Sequence, residues 1–480
     1  MNFLFFTVYH QLFMKGFHKR LLIILLIFLP LYILSIFMAK NPQIDEDFIW
    51  SDLLLSSDDR ILILAPHPDD EVLGCGGIIQ QAVKMGLPVH VVFLTYGDAN
   101  EWSFMVYRER PVLSSRGAIN MGLVRYEEAL KSVSVLGVSK DNVTFLGYPD
   151  FGTLNIWYKC WNNAPPYRSI LTRVTYVPYN NALRPDALYK GDDILKDVKT
   201  VLKEFKPTKI FVSSPADHHP DHQALYLFTS IALMDLKKDL TCTVYPYLIH
   251  YNNWPYPPGY MPEHFLHPPE GLVKEIKWQD INLTQDEIEI KHNALKIHMT
   301  QYKANKKYLL SFVRQNELFG DMPSVTLKSD SIDITGKENE VIEMPDELME
   351  KEKSAYVGIQ EQYVKVKENS LEIKVKFSRP LAKTVGLSLY LFGYRADKDF
   401  PLMPKLHMKF GAIYCNIYDQ NKKLPVNIVK IKRNSKEITI SVPFADLDNP
   451  EKILFSTRTY VSKVPLDWSP WRILNIKSEK

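Results

Sequence analysis

Paired cysteines, a dinucleotide fingerprint and a strong net charge are all missing from this sequence. Its four cysteines are scattered without CxxC spacing, which indicates buried thiols rather than a disulfide framework or a thiolate zinc site. The turn Gly74–Gly77 (GCGG) is not GxGxxG and no acidic ribose partner is evident, so a dinucleotide site is not expected. A formal net charge of +3 over 480 residues is too weak to suggest a nucleic-acid partner.

One long apolar run occurs near the N-terminus. Residues 21–38 are uncharged and reach the lower end of the roughly 17–25 residues that span a bilayer. Basic residues precede the run and acidic residues follow it, which predicts a single-pass, membrane-anchored protein with its large domain on the extracytoplasmic side. A cleavable signal peptide is the alternative, although Phe37-Met38-Ala39 is a poor cleavage site, and a start at Met14 instead of Met1 stays open.

Beyond this run, apolar strand patterns alternate with helical patterns. This alternation predicts an α/β fold with a Rossmann-like parallel sheet and helices on both faces. Short alternating runs near the C-terminus predict an all-β sandwich-like domain, and so long a chain exceeds one ordinary core. The predicted parts are a membrane anchor at 1–42, an α/β domain at 55–324, a linker at 325–350 and a β-sandwich accessory domain at 351–480.

Two segments of the α/β part have patterns of their own. Residues 147–193 are rich in proline and aromatic residues, and we interpret them as an ordered loop that lines a pocket. Residues 286–301 have the spacing of the last long helix of this part.

Polar clusters follow two of the predicted strands. PHPDDE occupies residues 66–71 after the first strand, and HHPDH occupies residues 218–222 after a later one. Because the carboxyl ends of parallel strands meet at one edge of a sheet, the clusters are expected to converge. Imidazole and carboxylate groups without thiolates suit a catalytic metal ion such as zinc, which keeps one position open for water.

Together the two clusters resemble the PIG-L / LmbE-like family of zinc-dependent N-deacetylases. The resemblance covers about residues 60–320, with further matches at TYGD (95–98), RYEEA (125–129), LGYPD (146–150) and KHNALKIHMTQ (291–301). It implies a Zn²⁺ cofactor and hydrolysis of the N-acetyl group of an amino sugar, an N-acetylglucosamine-type glycolipid or envelope glycan. An amidase for another N-acyl compound and a non-catalytic glycan-binding protein are the alternatives. The oligomeric state stays open.

The resemblance also implies roles for individual residues. Asp69 would be the general base that deprotonates the metal-bound water, and His219, oriented by Asp221, would stabilise the oxyanion. The implied zinc ligands are His67, Asp70 and His222. The implied substrate contacts are Asp98, Arg125, Asp150 and Arg168.

Several polar residues near these motifs have a structural alternative. Asp150 could instead make an Asx-type turn, and Arg168 could belong to a salt-bridged loop. Glu71 suits the N-terminus of a helix, where the dipole favours a carboxylate. Asp217 and His218 either shape their loop or take part in the site. In the C-terminal part, carbohydrate contact and core packing are both open for three residues of DWSPWR, namely Trp468, Trp471 and Arg472.

Overall fold

The computed structural model describes residues 51–100, 105–107, 114–334, 349–411, 413–462 and 464–476. Its helices of at least six residues are α1 (Asp70–Lys84), α2 (Ser115–Val135), α3 (Thr153–Lys159), α4 (Gly191–Phe205), α5 (Pro220–Asp235), α6 (Gln285–Ile297), α7 (Met299–Leu310) and α8 (Glu350–Ala355). The first ten strands are β1 (Ser51–Asp52), β2 (Ile61–Ala65), β3 (Val89–Thr95), β4 (Val143–Tyr148), β5 (Lys209–Ser213), β6 (Thr243–Tyr247), β7 (Gln279–Asn282), β8 (Asn316–Phe319), β9 (Val325–Leu327) and β10 (Ile332–Asp333).

The remaining strands lie in the C-terminal part of the chain. They are β11 (Ile359–Lys367), β12 (Ser370–Phe377), β13 (Val385–Tyr394), β14 (Lys405–Phe410), β15 (Cys415–Asp419), β16 (Lys422–Leu424), β17 (Lys430–Arg433), β18 (Glu437–Pro443), β19 (Lys452–Val461), β20 (Val464–Trp468) and β21 (Arg472–Ile476).

A five-stranded parallel sheet forms the centre of the α/β part. Its order is β4-β3-β2-β5-β6. From β2 the chain first adds β3 and β4 on one side of that strand, and it later adds β5 and β6 on the other side. The central strand β2 is apolar and buried at all five residues, as expected for a strand covered on both faces. Its helices form two groups, since α1 and α2 pack on α6 while α3 and α4 pack on α5. The reversal of direction beside β2 makes a crevice at the carboxyl ends of β2 and β5.

Helix α1 is held in place by a buried ion pair from elsewhere in the chain. The carboxylate of Glu317 accepts hydrogen bonds from the backbone N–H groups of Gly77 and Ile78 at 2.7 and 3.0 Å. Lys291 on α6 donates to Glu317 at 2.6 Å and to the carbonyl of Leu73 at 3.0 Å. Backbone groups in the middle of α1 are thus bonded by these two side chains, which ties α1 to α6 and β8.

The C-terminal part consists of two sheets that share one apolar core. One has the order β10-β11-β12-β18-β17, and the other has the order β16-β15-β14-β13-β19-β21-β9 with β20 beside β19. Alternate residues of both sheets, such as Ile373, Ile440, Leu389 and Met408, point into the shared core. The short strands β9 and β10 lie within the predicted linker, 325–350, and each pairs with one of the sheets.

This C-terminal part packs directly on the α/β part through α3. Tyr158 stacks on Tyr390 with ring centroids 4.4 Å apart, and the buried Trp471 lies beside both rings. Arg472 pairs with Glu275 of the α/β part at 2.5 Å. Trp471 and Arg472 therefore serve packing between the two parts, the structural alternative for these residues.

Two sequence predictions need correction. The predicted anchor, 1–42, lies outside the described residues, and within those residues no helix is both long and apolar enough to cross a bilayer. Even α2, the longest described helix with 21 residues, carries several charged side chains. The fold class of the described residues is therefore mixed α/β with a parallel sheet and a C-terminal multi-stranded sheet domain, and these residues contain no helix that could serve as the predicted transmembrane anchor. The single-pass, extracytoplasmic localisation that depended on that helix is contradicted by the same finding.

The predicted long helix at 286–301 is also different in the structure. The helix ends at Ile297, and a new helix begins at Met299. His298 between them has ψ of 59°, outside the helical range, and its ring is fully buried. The turn directs this side chain towards the start of α1.

Candidate metal centre

The first polar cluster turns sharply between β2 and α1. Asp69 has a φ of 120°, a strained conformation for a residue other than glycine, and it immediately precedes α1. Its backbone N–H donates to the Glu71 carboxylate at 2.8 Å, and that carboxylate also lies 3.0 Å from Nε2 of His298. Burial raises the pKa of Asp69 to about 7, and the Arg125 guanidinium, 3.6 Å away, opposes that shift. Its side chain still keeps 11% exposure.

The second cluster brings His222 beside the first. His222 lies in the first turn of α5, and its Nε2 is 3.1 Å from Oδ2 of Asp70. The same Asp70 oxygen lies 3.1 Å from Nδ1 of His67. On the other side of the ring, Nδ1 of His222 lies 3.0 Å from Asp217, whose carboxylate also accepts from the backbone N–H groups of Ile249 and His250. Asp217 thus supports His222 from behind.

The buried ring nitrogens of His222 test whether this arrangement suits a metal ion. Both lie within 3.1 Å of carboxylate oxygens, yet neither makes a hydrogen bond of acceptable geometry. A buried nitrogen without a hydrogen-bond partner, facing a carboxylate, fits a cation. Histidine and acidic side chains gather here in three overlapping groups that could hold an ion. These groups are His67/His219/His222, His67/Asp150/His219/Asp221 and Asp70/His222/His250.

The surroundings of His67 are strongly negative. Its Nε2 lies 3.1 Å from Asp150 and 3.2 Å from Asp221, in addition to the contact of Nδ1 with Asp70. Burial alone would lower the pKa of His67, but these carboxylates hold it well above its usual value. The cluster therefore favours positive charge, either as a proton or as a metal ion.

His219 has a defined orientation at the edge of the cluster. It is the N-cap of α5, and its Nδ1 accepts a hydrogen bond from the backbone N–H of Asp221 at 3.2 Å. A neutral ring that accepts at Nδ1 carries its proton on Nε2. The Asp221 carboxylate itself comes no closer than 4.0 Å to His219 Nδ1 and instead accepts from Phe151 and Thr153. The backbone of Asp221, more than its side chain, thus orients His219.

The four residues implied as substrate contacts occupy different places. Asp150 is buried and touches His67, while its other oxygen accepts from Ala99 N at 3.0 Å. Asp98 is buried and accepts from Tyr179 Oη at 2.5 Å, and burial raises its pKa to about 7. Arg168 is exposed, and its Nε donates to the Arg173 carbonyl rather than to an acid.

Arg125, the fourth of them, is buried behind Asp69. Its two terminal nitrogens donate to the carbonyls of Gly97 and Pro68 at 2.9 and 2.7 Å. The guanidinium therefore braces the turn that carries the acidic cluster.

Replacing Gly97 by alanine should disturb this brace. Gly97 has a φ of 64°, and a Cβ there would collide with the guanidinium of Arg125. We expect a loss of about 2–4 kcal/mol in unfolding free energy, from the left-handed backbone and the clash together. Gly86→Ala is a matched control, since Gly86 has a φ of 72° but open space around the new Cβ. Equal losses in thermal denaturation of the two variants would contradict the proposed collision.

Two histidines of this region were not singled out from the sequence. His250 follows β6 and lies with its ring 4.8 Å from that of His222, and His298 pairs with Glu71. His250 is an isolated histidine in its segment, so only the pattern of the sheet edge, where β6 also ends, could have suggested it. His298 lies in the matched segment KHNALKIHMTQ, although that match by itself assigns it no role.

Known proteins resemble the part of the chain that contains both polar clusters. A family model described as "PIG-L: GlcNAc-PI de-N-acetylase" matches residues 62–233. A Corynebacterium glutamicum 1D-myo-inositol 2-acetamido-2-deoxy-alpha-D-glucopyranoside deacetylase is 25% identical over 175 residues, covering 36% of this chain and 52% of the relative. The diacetylchitobiose deacetylase of Thermococcus kodakarensis is 25% identical over 167 residues, covering 34% and 45%.

Solved structures were compared as well. The N,N'-diacetylchitobiose deacetylase of Pyrococcus horikoshii is 20% identical, with a TM-score of 0.32 over 52% of this chain and 75% of that one. The chain spans about half the length of the two curated relatives described above. Residues 62–233, which contain both polar clusters and the sheet edge between them, form a PIG-L family domain.

Proposed function

We propose that this site is the zinc-dependent active centre of a deacetylase that hydrolyses the N-acetyl group of an amino sugar. The observation that carries the proposal is the shared carboxylate of Asp70, with ring nitrogens of His67 and His222 both 3.1 Å from one of its oxygens. Two imidazoles and one carboxylate are a common ligand set for catalytic zinc, which leaves a position for water. The PIG-L domain and the deacetylase relatives point to the same reaction.

His67, Asp70 and His222 would hold the ion in this proposal. A bound zinc ion supplies a Lewis acid and makes water a usable nucleophile near neutral pH. The Asp217 carboxylate lies 3.0 Å from Nδ1 of His222 and would hold the ring in the orientation that turns Nε2 towards the ion.

Asp69 would take the proton of the attacking water. It directly precedes the proposed ligand Asp70, its backbone N–H is fixed by Glu71, and its side chain stays partly exposed to the site. The same carboxyl group then carries a proton that it can return to the nitrogen of the leaving amine.

His219 would stabilise the negative charge that develops on the amide oxygen. Because its Nδ1 accepts the backbone N–H of Asp221, its neutral ring has an Nε2–H to donate. The ring of His219 lies 4.6 Å from the ring of His67 and 4.5 Å from the ring of Phe151. His219 therefore lies between the metal-binding cluster and the exposed side chain of Phe151. The proposed substrate contacts remain Asp98, Arg125, Asp150 and Arg168. Because the first three side chains are buried, they are better placed to support the site than to contact a sugar.

Metal removal tests the proposal. We expect the zinc-loaded protein to hydrolyse an acetamide of N,N'-diacetylchitobiose, which releases acetate and frees an amine on the sugar (amine release). Chelation should abolish this amine release until zinc is added back. His222→Ala should lose most of its metal by elemental analysis, because one of three protein ligands is gone. His264→Ala is the control, since that histidine is exposed and forms its ion pair with the exposed Glu263.

The outcomes separate the alternatives. Release of amine from a non-sugar N-acyl compound, but not from the disaccharide, would favour an amidase with another substrate. Binding of the disaccharide without any release by the zinc-loaded protein would favour a glycan-binding protein.

A further inference from the structure

A row of side chains crosses the large C-terminal sheet on the face that also packs against α3. In the strand register, Lys409 on β14 lies opposite Ser388 on β13, Ser388 lies opposite Arg458 on β19, and Arg458 lies opposite Trp468 on β20. Residues that are directly opposite in antiparallel strands point to the same face. The adjacent Leu387 belongs to the apolar core between the sheets, so the row lies on the other face. We call these four residues, together with Lys159 at the end of the neighbouring helix α3, the basic row.

The cations of the basic row form no ion pair with an acidic residue among those that the structure describes. Arg458 stacks over the rings of Tyr390 and Tyr158, at 5.2 and 5.7 Å, and the exposed Lys159 ends α3 close by. None of the ion pairs in the part of the chain that the structure describes includes Lys159, Lys409 or Arg458.

The lowered pKa values of neighbouring side chains are consistent with an excess of positive charge here. The pKa of Lys409 is lowered first by burial and then by Lys159 and Arg458. Burial also lowers the pKa of His407, and so do the charges of Lys409, Arg458 and Lys159. His407 lies two residues before Lys409 on β14. Like charges held together without a counter-charge repel one another, so an anion at this place would relieve the repulsion.

The basic row adjoins the candidate metal centre. The Trp468 ring lies 4.4 Å from the ring of His218, in an edge-to-face arrangement. The next residue, His219, belongs to the metal centre, and Phe151 with 45% exposure stands on its other side. Trp468, Arg458 and Lys409 are each partly exposed. The surface thus continues from the metal centre over Trp468 to the cations.

We propose that the basic row binds an acidic group of the same glycan whose acetamide enters the metal centre. This inference rests on the proposed deacetylase function and names its substrate class, an amino-sugar chain with an acidic substituent. Arg458, Lys409 and Lys159 would bind a carboxylate or a phosphate through charge-assisted hydrogen bonds. Trp468 would pack against a sugar ring between the acidic group and the metal centre.

Binding measurements on the full chain with Asp69→Asn, which should not turn the ligand over, test this inference. The probes are a hyaluronan tetrasaccharide with carboxylates, N,N'-diacetylchitobiose 1-phosphate with a phosphate, and neutral, fully N-acetylated chitotetraose. The acidic probe that binds more tightly relative to chitotetraose identifies the acidic group. Lys409→Gln and Lys159→Gln should each weaken that probe about tenfold and chitotetraose less than twofold, since each removes one charged donor.

A control and a separate assay keep the result interpretable. Lys432→Gln, an exposed lysine on β17 of the other sheet, should change neither affinity. Equal affinities for acidic and neutral probes, unaffected by the two row variants, would overturn the inference. Amine release by the unmodified chain is measured in parallel on chitotetraose and on both acidic probes. Release without acidic preference leaves the deacetylase proposal standing and removes this one, whereas acidic preference without release from any of the three probes removes the deacetylase proposal and leaves the binding of acidic glycans standing.

Discussion

Replacing Asp69 by asparagine is expected to slow amine release about 10²- to 10⁴-fold while zinc stays bound. Asparagine has the same shape as aspartate and tolerates unusual backbone angles, so the strained turn at φ 120° should persist. The backbone N–H that donates to Glu71 is unchanged. The substitution removes the capacity to accept a proton, together with the carboxylate charge 3.6 Å from Arg125.

The measurement combines metal content with steady-state kinetics on N,N'-diacetylchitobiose. We expect unchanged zinc and a loss mainly in kcat, because the missing proton transfer affects the transition state more than substrate binding. Asp58→Asn is the matched control, because Asp58 lies at an exposed turn before β2 and its carboxylate accepts a hydrogen bond from Ser57 rather than from either cluster. If Asp69→Asn kept its kcat within threefold, Asp69 would not be the base, and the buried carboxylates around His67 would have to be tested in its place.

Replacing Lys291 by methionine is expected to cost about 3–5 kcal/mol of unfolding free energy. Both Lys291 and Glu317 are 1% exposed, so the substitution leaves a buried carboxylate without its cation. The same change removes the hydrogen bond to the Leu73 carbonyl in the middle of α1. The helix that begins at the proposed ligand Asp70 would lose its tie to α6.

Denaturant unfolding of matched variants measures this cost. Lys296→Met, an exposed lysine on the same helix, should change stability by less than about 0.5 kcal/mol. Lys291→Met combined with Glu317→Gln should recover part of the loss, since the buried charge is gone and the new amide oxygen still accepts from the backbone of α1. A loss below 1 kcal/mol for the single variant would show that Glu317 is not held as a buried ion.

The local parts of the site could be predicted from the sequence. A short apolar run followed by PHPDDE, and a later one followed by HHPDH, each occupy a few consecutive residues. Parallel pairing then brings both strand ends to one edge, since β2 lies directly beside β5. Hydrophobic patterning also predicts a C-terminal β-part, because side chains of strands alternate between core and solvent.

The N-terminal run shows where a local pattern misled. An apolar stretch of bilayer length with basic residues before it is typical of a membrane anchor. Yet within the residues that the structure describes, no helix can span a bilayer. The run itself, residues 21–38, lies outside the described residues, and no described helix supports the predicted anchor.

The sequence by itself determined the central parallel sheet and the convergence of two histidine- and acid-rich strand ends, because these depend on consecutive residues and the geometry of parallel strands. Only the tertiary structure decided what supports them. His298 contacts Glu71, which is 227 residues away in the sequence, and Lys291 forms an ion pair with Glu317 beside α1. Trp468 of the C-terminal part contacts His218 of the α/β part. A lone histidine, lysine or tryptophan has the same local pattern on a surface as in a buried contact, so its partner is set by the packing of distant segments.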